Sequence, residues 1–255
     1  MAARRRRTNM SRFGETFTTP KPILGMLHLA GDSPEGKLAQ AEEEARIMAG
    51  EGVDGLVVEN YFGHAEDVER VLERLFGLDL GTRIGVNVLR DDARAFELAR
   101  HYPVAFIQVD SVAGHLPPET DAPFAADLAT RREGVSALLL GGVRFKYQPV
   151  LSGRPEAEDV RIGASRCDGL VVTSDATGRP TDMDKVARFR AAAGGGVPLL
   201  IGAGLTEANA AEQLTHADGA VVGSWFKHDH KDTGRVEAAH VAGLMRVVRA
   251  ARSAA

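Results

Sequence analysis

The chain has 255 residues, 44% of them hydrophobic, and a formal net charge of −4 at pH 7. This length suffices to bury one sizeable core, so we expect a single domain. Positive and negative side chains are interspersed, and the chain has no basic face of the kind that follows a nucleic-acid backbone. Nucleic acid is therefore not an expected partner.

Residues 1–19 are predicted to be a disordered basic tail, and residues 20–255 are predicted to form the folded domain. The tail contains four successive arginines, Arg4 to Arg7, and its composition favours disorder, although contact with an acidic surface is the alternative. No apolar signal-peptide core follows the arginines, and no apolar run is long enough to span a bilayer. We therefore expect a cytoplasmic protein with no integral membrane segment. The single cysteine, Cys167, is expected to be a buried thiol.

Eight short β-rich runs alternate with amphipathic stretches along the chain, a pattern typical of βαβ units and a parallel sheet. The amphipathic stretches include Lys37–Gly50, Asp92–His101 and a closing helix at Val236–Arg252. The predicted strands are Ile23–Leu29, Gly55–Glu59, Arg83–Leu89, Val104–Val109, Ala137–Tyr147, Gly169–Thr173, Leu199–Ile201 and Ala220–Val222. Eight near-regular units over this length favour a single (β/α)8 TIM barrel over a doubly wound sheet.

Glycine-rich turns follow the last two predicted strands. Gly202 and Gly204 follow strand seven, and Gly223 and Ser224 follow strand eight. Glycine allows backbone amides to approach an anion closely, and the loops after strands seven and eight are the recurrent phosphate site of this fold. We therefore predict a phosphate-binding pair of loops here. The alternative is that the glycines only form tight turns.

The loop after strand six is polar and lies next to the predicted phosphate loops. Thr173 and Ser174 carry hydroxyls that can donate to phosphate or sugar oxygens, and Asp175 could accept from a sugar hydroxyl or act as a general acid or base. The same residues also suit an ordinary turn that caps the helix beginning near Thr181 or Asp182. Both interpretations stay open from the sequence.

Polar residues also end the first five strands, where active-site groups of TIM barrels lie. Glu59 and Asp110 are acid/base candidates, whereas His28 and Asn87 are candidate substrate-binding residues. On strand five, a spacing of two residues predicts that three polar side chains share one face towards the barrel mouth. These are Arg144, a candidate ligand-binding residue, Lys146, a candidate electrostatic catalyst, and Gln148. If the polar residues pair only with one another, their role is structural.

The sequence predicts no metal site. His228 and His230 flank Asp229, but they belong to a charged segment, Lys227 to Asp232, that is more typical of a solvated loop.

Taken in order, five motifs resemble those of the BtpA/SgcQ family. The motifs are Lys21–Leu29, Gly52–Asn60, Gly85–Ala93, Val172-Thr173 with Ala176–Asp182, and Asp218–Gly223. The resemblance covers about residues 20 to 250 and implies a fold similar to phosphate-binding barrels. Members of the family are described as biogenesis factors or nucleosidase-like proteins, without one settled reaction. This chain departs from the family's Asp-x-His-x-Lys-His pattern on strand five, because it reads Gly142-Val143-Arg144-Phe145-Lys146-Tyr147 and keeps only the lysine.

The leading hypothesis is an enzyme acting on a phosphorylated sugar or nucleoside-type molecule, most concretely by glycosidic bond cleavage or transfer. Asn87 and Asp175 would hold sugar hydroxyls, and this scheme requires no cofactor. One alternative is a sugar-phosphate isomerase, epimerase or aldolase in which Lys146 forms a Schiff base. Another is a non-catalytic biogenesis or sensor protein. The expected partner is a phosphorylated small molecule, and a homo-oligomer is compatible with the sequence.

Overall fold

The computed structural model describes residues 12–253, in which eight parallel strands form a closed barrel. Each strand pairs with its neighbours in chain order, and β8 closes on β1, with Ile23 opposite Ala220 and Gly25 opposite Val222. The strands are β1 Ile23–Leu27, β2 Gly55–Glu59, β3 Arg83–Asn87, β4 Phe106–Ala113, β5 Leu138–Val143, β6 Gly169–Val172, β7 Leu199–Ile201 and β8 Gly219–Val222. The predicted TIM barrel is therefore confirmed, and every predicted strand overlaps an observed one.

A helix follows each strand. The helices are α1 Pro34–Gly50, α2 Ala65–Phe76, α3 Asp92–His101, α4 Pro118–Arg132, α5 Glu156–Arg166, α6 Met183–Ala193, α7 Ala210–His216 and α8 Ala238–Ser253. Two 3-10 turns, Ser224–Phe226 and His228–His230, separate β8 from α8. The predicted closing helix begins two residues later than expected, because Val236 forms an antiparallel bridge with Lys227. That bridge folds the charged segment after β8 back onto the barrel.

Side-chain capping defines several of the helix starts. Ser33 accepts a hydrogen bond from the Gly36 amide at the start of α1, and Asp91 accepts one from the Arg94 amide at the start of α3. Asp182 caps α6 in the same way through the Asp184 amide. Such caps satisfy amides that have no partner within the helix. The cap of α6 is therefore Asp182 itself, and Thr173, Ser174 and Asp175 take no part in it.

Phe106 fills the centre of the barrel. Its ring occupies the space where a Cβ of Gly85 would lie, at 2.2 Å from the ring, so the glycine on β3 makes room for the aromatic side chain on β4. Around it pack inward-facing aliphatic residues of the other strands: Leu24, Met26, Val57, Leu138, Leu140, Val171, Leu200 and Val221. A second, larger apolar layer lies between the strands and the helices. The barrel interior is therefore a packed core, and a cavity can open only at its ends.

The N-terminal segment closes the bottom of the barrel. Residues 12–16 form a helical turn, and both Phe13 and Phe17 are buried, with the Phe17 ring 5.7 Å from that of Phe106. This differs from the expected disordered tail over residues 1–19, because two aromatic rings at a spacing of four reach the apolar interior. Arg4 to Arg7 lie outside the described residues.

Three Asp-Gly pairs fix neighbouring strands at the same end of the barrel. Asp54, Asp168 and Asp218 each accept a hydrogen bond of 2.8 Å from the amide of a residue at the start of another strand. Each carboxylate also pairs with an arginine: Arg252 with Asp54, Arg12 and Arg132 with Asp168, and Arg190 with Asp218. The charged groups at this end are satisfied by one another, which is expected of the face that stabilises a TIM barrel.

Candidate functional site

The carboxyl ends of the strands surround a cavity of about 420 Å³ at the mouth of the barrel. It is lined by most of the residues predicted to form a site: His28, Glu59, Asp110, Lys146, Gly202, Gly204, Gly223 and Ser224. Gln148 of the predicted strand-five group lines it too, together with Gln108 and Arg90. The cavity brings these side chains together, whereas their individual roles remain predictions.

Glu59 is a buried carboxyl group at the end of β2. Only 5% of the residue is exposed, and Oε2 accepts a hydrogen bond of 2.7 Å from the Asn87 amide nitrogen at the end of β3. Burial, and then the negative charge of Asp110, raise the pKa of Glu59 to about 8, against the opposing effect of Lys146. Glu59 therefore keeps its proton at neutral pH, and a proton held in this way is available to a bound molecule.

Asp110 lies on β4 beside Glu59, and its environment leaves one oxygen unused. No group among the described residues hydrogen-bonds Oδ1 of Asp110 or the buried Oε1 of Gln108, two positions earlier on the same face of the strand. Burial raises the pKa of Asp110, while a hydrogen bond from Asn87 and the charge of Lys146 lower it. Buried acceptors without a partner are costly, and neither atom finds a donor among the described residues.

A third carboxyl group, that of Asp92, lies outside the cavity within the electrostatic influence of Asp110. Burial, and then the charge of Asp110, raise the pKa of Asp92 to about 6. Asp92 is the first residue of α3 and does not line the cavity.

His28 follows the last residue of β1 and lines the cavity near Glu59. Its Nε2 is 3.9 Å from Glu59 Oε1, too far for a hydrogen bond, and its ring stacks on Tyr61 at 4.7 Å between centroids. Burial, and then the positive charge of Lys227, lower the pKa of His28 well below its ordinary value. His28 is therefore a neutral imidazole at the cavity wall.

The chain leaves β5 differently from the sequence prediction. The strand ends at Val143, and both Arg144 and Tyr147 have left-handed backbone angles, with φ of 47° and 61°. The alternation of a strand is lost there, so the prediction that Arg144, Lys146 and Gln148 share one face is wrong. Only Lys146 and Gln148 reach the cavity.

Arg144 instead points away from the mouth. Its Nε donates to Oδ2 of Asp159 at 2.9 Å, and its guanidinium also donates to the Arg154 carbonyl oxygen at 2.5 Å. Asp159 is fully buried at the start of α5, where an unpaired carboxylate would be costly. Arg144 therefore does not lie where it could bind a ligand in the cavity, because this buried charge engages it.

The predicted phosphate loops line the cavity, but local packing already requires two of their glycines. A Cβ on Gly204 would lie 2.1 Å from the carbonyl oxygen of Arg179, and Gly204 has a φ of 70°. A Cβ on Gly202 would lie 2.5 Å from the Val171 side chain. The glycines thus have a packing role, and phosphate binding by these loops stays a prediction. The loops share the cavity wall with Lys146 and Arg90.

The structure does not bring the three candidates of the strand-six loop into the cavity. The Thr173 hydroxyl accepts from the Lys146 amide at 3.0 Å, and Ser174 donates to carbonyl groups within its own loop. Asp175 is exposed and lines a separate surface depression next to Arg179, Lys185 and Arg188. Asn87 does not line the cavity either, but it contacts Glu59 directly. Thr177 and Gly178 reach the mouth instead.

Two residues that contact His28 escaped the sequence analysis. Lys227, in the segment predicted to be a solvated loop, is fully buried and touches His28, whereas His228, Asp229 and His230 are exposed as predicted. Tyr61 was passed over because it follows a strand by two residues, in a turn where an aromatic residue carries no special signal.

Among the residues 12–253, no group of three or more His, Cys, Asp and Glu side chains is arranged to hold a metal ion. Across the same range, every helix is too short or too polar to cross a membrane.

The closed barrel, with its polar side chains gathered at the carboxyl ends of the strands, defines a TIM-barrel protein with one well-formed cavity at its mouth. A model of the BtpA family matches residues 19–250. The photosystem I biogenesis protein BtpA of Synechocystis sp. is 30% identical over 242 residues, which cover 84% of this chain and 83% of that protein. The chain therefore belongs to the BtpA family, and the resemblance drawn from its motifs is confirmed.

Solved structures support the same fold. The structure described as native KDPGal has a TM-score of 0.62 at 15% identity, covering 91% of this chain and 96% of that one. Phosphoribosyl anthranilate isomerase from Thermus thermophilus has a TM-score of 0.60 at 13% identity, covering 90% of this chain and 98% of that one. At identities this low, the likeness extends to the fold alone.

Proposed function

We propose that the protein is an enzyme that cleaves or transfers a glycosidic bond of a phosphorylated sugar or nucleoside-type molecule bound in the barrel mouth. The observation that carries the proposal is Glu59, a buried carboxyl group whose pKa is raised to about 8, beside a second carboxyl group, Asp110, with an unpartnered oxygen. Two carboxyl groups held in different environments are the usual equipment of glycosyl chemistry.

In this reaction the two carboxyl groups have different roles. Glu59 is protonated at neutral pH and would give its proton to the leaving group. Asp110 would stabilise the positive charge that develops on the sugar, or would activate the attacking water. Asn87 donates to Glu59 and so fixes the direction of its carboxyl group. Lys146 faces both carboxyl groups and balances the negative charge of the bound ligand.

The side chains that line the cavity suggest how the ligand lies. Gln108 and Asp110 bring an amide and a carboxyl group to the wall, and these groups match the hydroxyls of a sugar. Lys146, Arg90 and the loops around Gly204 and Ser224 line the part of the wall suited to a phosphate. The sugar would therefore contact β4, and its phosphate the loops after β7 and β8. The fold relative named as acting on a phosphoribosyl compound supports this at the level of the fold only.

The test is a panel of nucleoside 5′-monophosphates and related phosphorylated glycosides, assayed for release of the free sugar phosphate. Turnover by the wild type, a loss of about 100-fold or more in kcat for Glu59→Gln, and retained ligand binding would support the proposal. Asp79→Asn is the matched control, because Asp79 is exposed and lines a depression at the other end of the barrel. Equal turnover by wild type and Glu59→Gln would contradict the assignment.

A second candidate is a sugar-phosphate aldolase or isomerase, which the position of the Lys146 amine inside the cavity favours. A Schiff base at Lys146 would be fixed covalently by borohydride in the presence of a sugar phosphate, whereas glycosidic cleavage would leave the lysine unmodified. Ligand binding without turnover of any compound would instead favour a sensor or assembly role. The name of the relative from Synechocystis sp. is compatible with such a role.

A further inference from the structure

Lys227 is a fully buried lysine in contact with His28, and neither the proposed reaction nor the family membership explains it. Its Nζ lies 2.9 Å from His28 Nδ1 and 3.0 Å from the carbonyl oxygen of Asp232. Burial lowers the pKa of Lys227, whereas the negative charges of Glu44 and Asp232 act in the opposite direction. A lysine is rarely placed in such an environment unless its hydrogen bonds are used.

The backbone after β8 brings this lysine inward while its neighbours stay in solvent. Lys227 bridges to Val236, and the His228 amide donates to the Arg235 carbonyl oxygen at 2.8 Å. Asp229 adopts a left-handed φ of 52°, which reverses the chain so that the Asp232 carbonyl oxygen returns to Lys227. The position of Nζ is therefore fixed by a folded loop.

The contact with Lys227 sets where the proton of His28 resides. A lysine ammonium can only donate hydrogen bonds, so Nδ1 of His28 must accept, and the ring proton must be on Nε2. The competing arrangement has Nδ1 donating to the Asp232 carbonyl oxygen at 3.4 Å. That contact is longer, and the same oxygen already accepts from Nζ at 3.0 Å. The shorter, charge-assisted bond prevails.

The groups around His28 also keep it neutral. The cations Lys227 and Lys146 oppose a positive charge on the ring, and Tyr61 covers one of its faces. The nearest carboxyl group, Glu59, is itself protonated at neutral pH, because its pKa is raised to about 8. It therefore offers no negative charge that would favour an imidazolium. The hydrogen bond to the Asp232 carbonyl oxygen raises the pKa of His28, but the same oxygen also accepts from Lys227.

We propose that Lys227 is a positioning residue that fixes His28 as the neutral tautomer with the proton on Nε2, so that His28 donates a hydrogen bond to a ligand oxygen in the cavity. The Cε1–Nε2 edge of the ring lies against Gly223, where a Cβ would be 3.2 Å from Cε1. Gly223 thus gives the ring its place in the wall. A neutral imidazole N–H can polarise or anchor an oxygen without transferring its proton, which suits a site where Glu59 already holds the transferable one.

The test is the protonation state of His28, observed by NMR of the full chain labelled with ¹⁵N-histidine. The signals of His28 are assigned by their loss in His28→Gln. We expect a protonated Nε2, an unprotonated Nδ1 and no titration of the ring around the ordinary pKa of a histidine. A proton on Nδ1 in the wild type, or a titration at the ordinary histidine pKa, would overturn the proposal without any variant of Lys227.

Lys227→Met then tests the cause. Without the lysine, Nδ1 is free to donate to the Asp232 carbonyl oxygen, so we expect the ring proton to move from Nε2 to Nδ1. The matched control is Lys231→Met, which removes an exposed lysine of the same loop and should leave the His28 signals unchanged. An unchanged tautomer in a folded Lys227→Met protein would contradict the positioning role. The measurement needs no substrate, so failure of the proposed reaction would not affect it.

Discussion

Replacing Glu59 by glutamine should stabilise the protein more at high pH than at low pH. The buried carboxyl group has a pKa raised from its ordinary value near 4.5 to about 8. Between these values the folded chain keeps a proton that the unfolded chain has released, so the stability of the wild type falls as the pH rises. Glutamine resembles the protonated acid at every pH, and its side-chain oxygen can still accept from Asn87.

The size of the effect follows from the two pKa values. Stability changes by about 1.4 kcal/mol per pH unit when one proton is released on unfolding. Between about pH 5 and pH 8, the free energy of unfolding of Glu59→Gln should therefore rise by about 3.5 kcal/mol relative to the wild type. This is less than three times the value of about 1.4 kcal/mol because proton release is incomplete at both ends of the range, and the difference should level off above pH 8.

Urea denaturation at several pH values measures this difference directly. The control is Glu73→Gln, because Glu73 is exposed on α2 and does not line the barrel mouth. A difference between Glu59→Gln and wild type that stays constant from pH 5 to pH 8 would refute the raised pKa. It would also remove the basis for Glu59 as a proton donor.

Three further predictions concern residues whose roles the structure changed or explained. Gly204→Ala should destabilise the chain by about 2 kcal/mol or more in thermal or urea unfolding, because Gly204 has a left-handed φ and approaches the neighbouring loop closely. The control is Gly195→Ala, whose added Cβ would have no atom within 4 Å and which should change stability little. Arg144→Ala should lower the free energy of unfolding by about 3 kcal/mol, because the buried Asp159 loses its main partner, and it should leave ligand affinity unchanged. Weakened ligand affinity in a stable variant would show that Arg144 does contact the ligand. Cys167 has a pKa raised to about 12, chiefly by burial, so an alkylating reagent at pH 8 should label it only after unfolding, and rapid labelling of the native protein would contradict this.

The fold was predictable because its signals are local and repeated. Each strand is a short run of β-branched and aliphatic residues, and the closed order of the barrel follows from having eight such units. The positions of Glu59 and Asp110 were predictable for the same reason, since a residue at the end of a barrel strand points to the mouth. The burial of Phe13 and Phe17 was missed, because their helical spacing inside a polar tail does not show which part of the barrel the two rings pack against.

The remaining errors at the site arise where the backbone leaves regular structure. Arg144 was placed in the mouth by strand alternation, but a left-handed residue after β5 turns its side chain towards Asp159. Lys227 was read as solvated because its neighbours are charged, and only the bridge to Val236 places it beside His28. Sequence spacing predicts the direction of side chains only within a regular strand or helix. The prediction fails at the first residue with an unusual φ.

The most direct test of the proposed ligand site is a crystal structure of the protein with ribose 5-phosphate, the product expected from cleavage of a phosphorylated nucleoside. We expect the phosphate between Gly204 and Ser224 with Lys146 nearby, and the sugar hydroxyls against the side chains of Gln108 and Asp110. Binding of the phosphate outside the mouth, or a mouth left empty at saturating ribose 5-phosphate, would contradict this expectation.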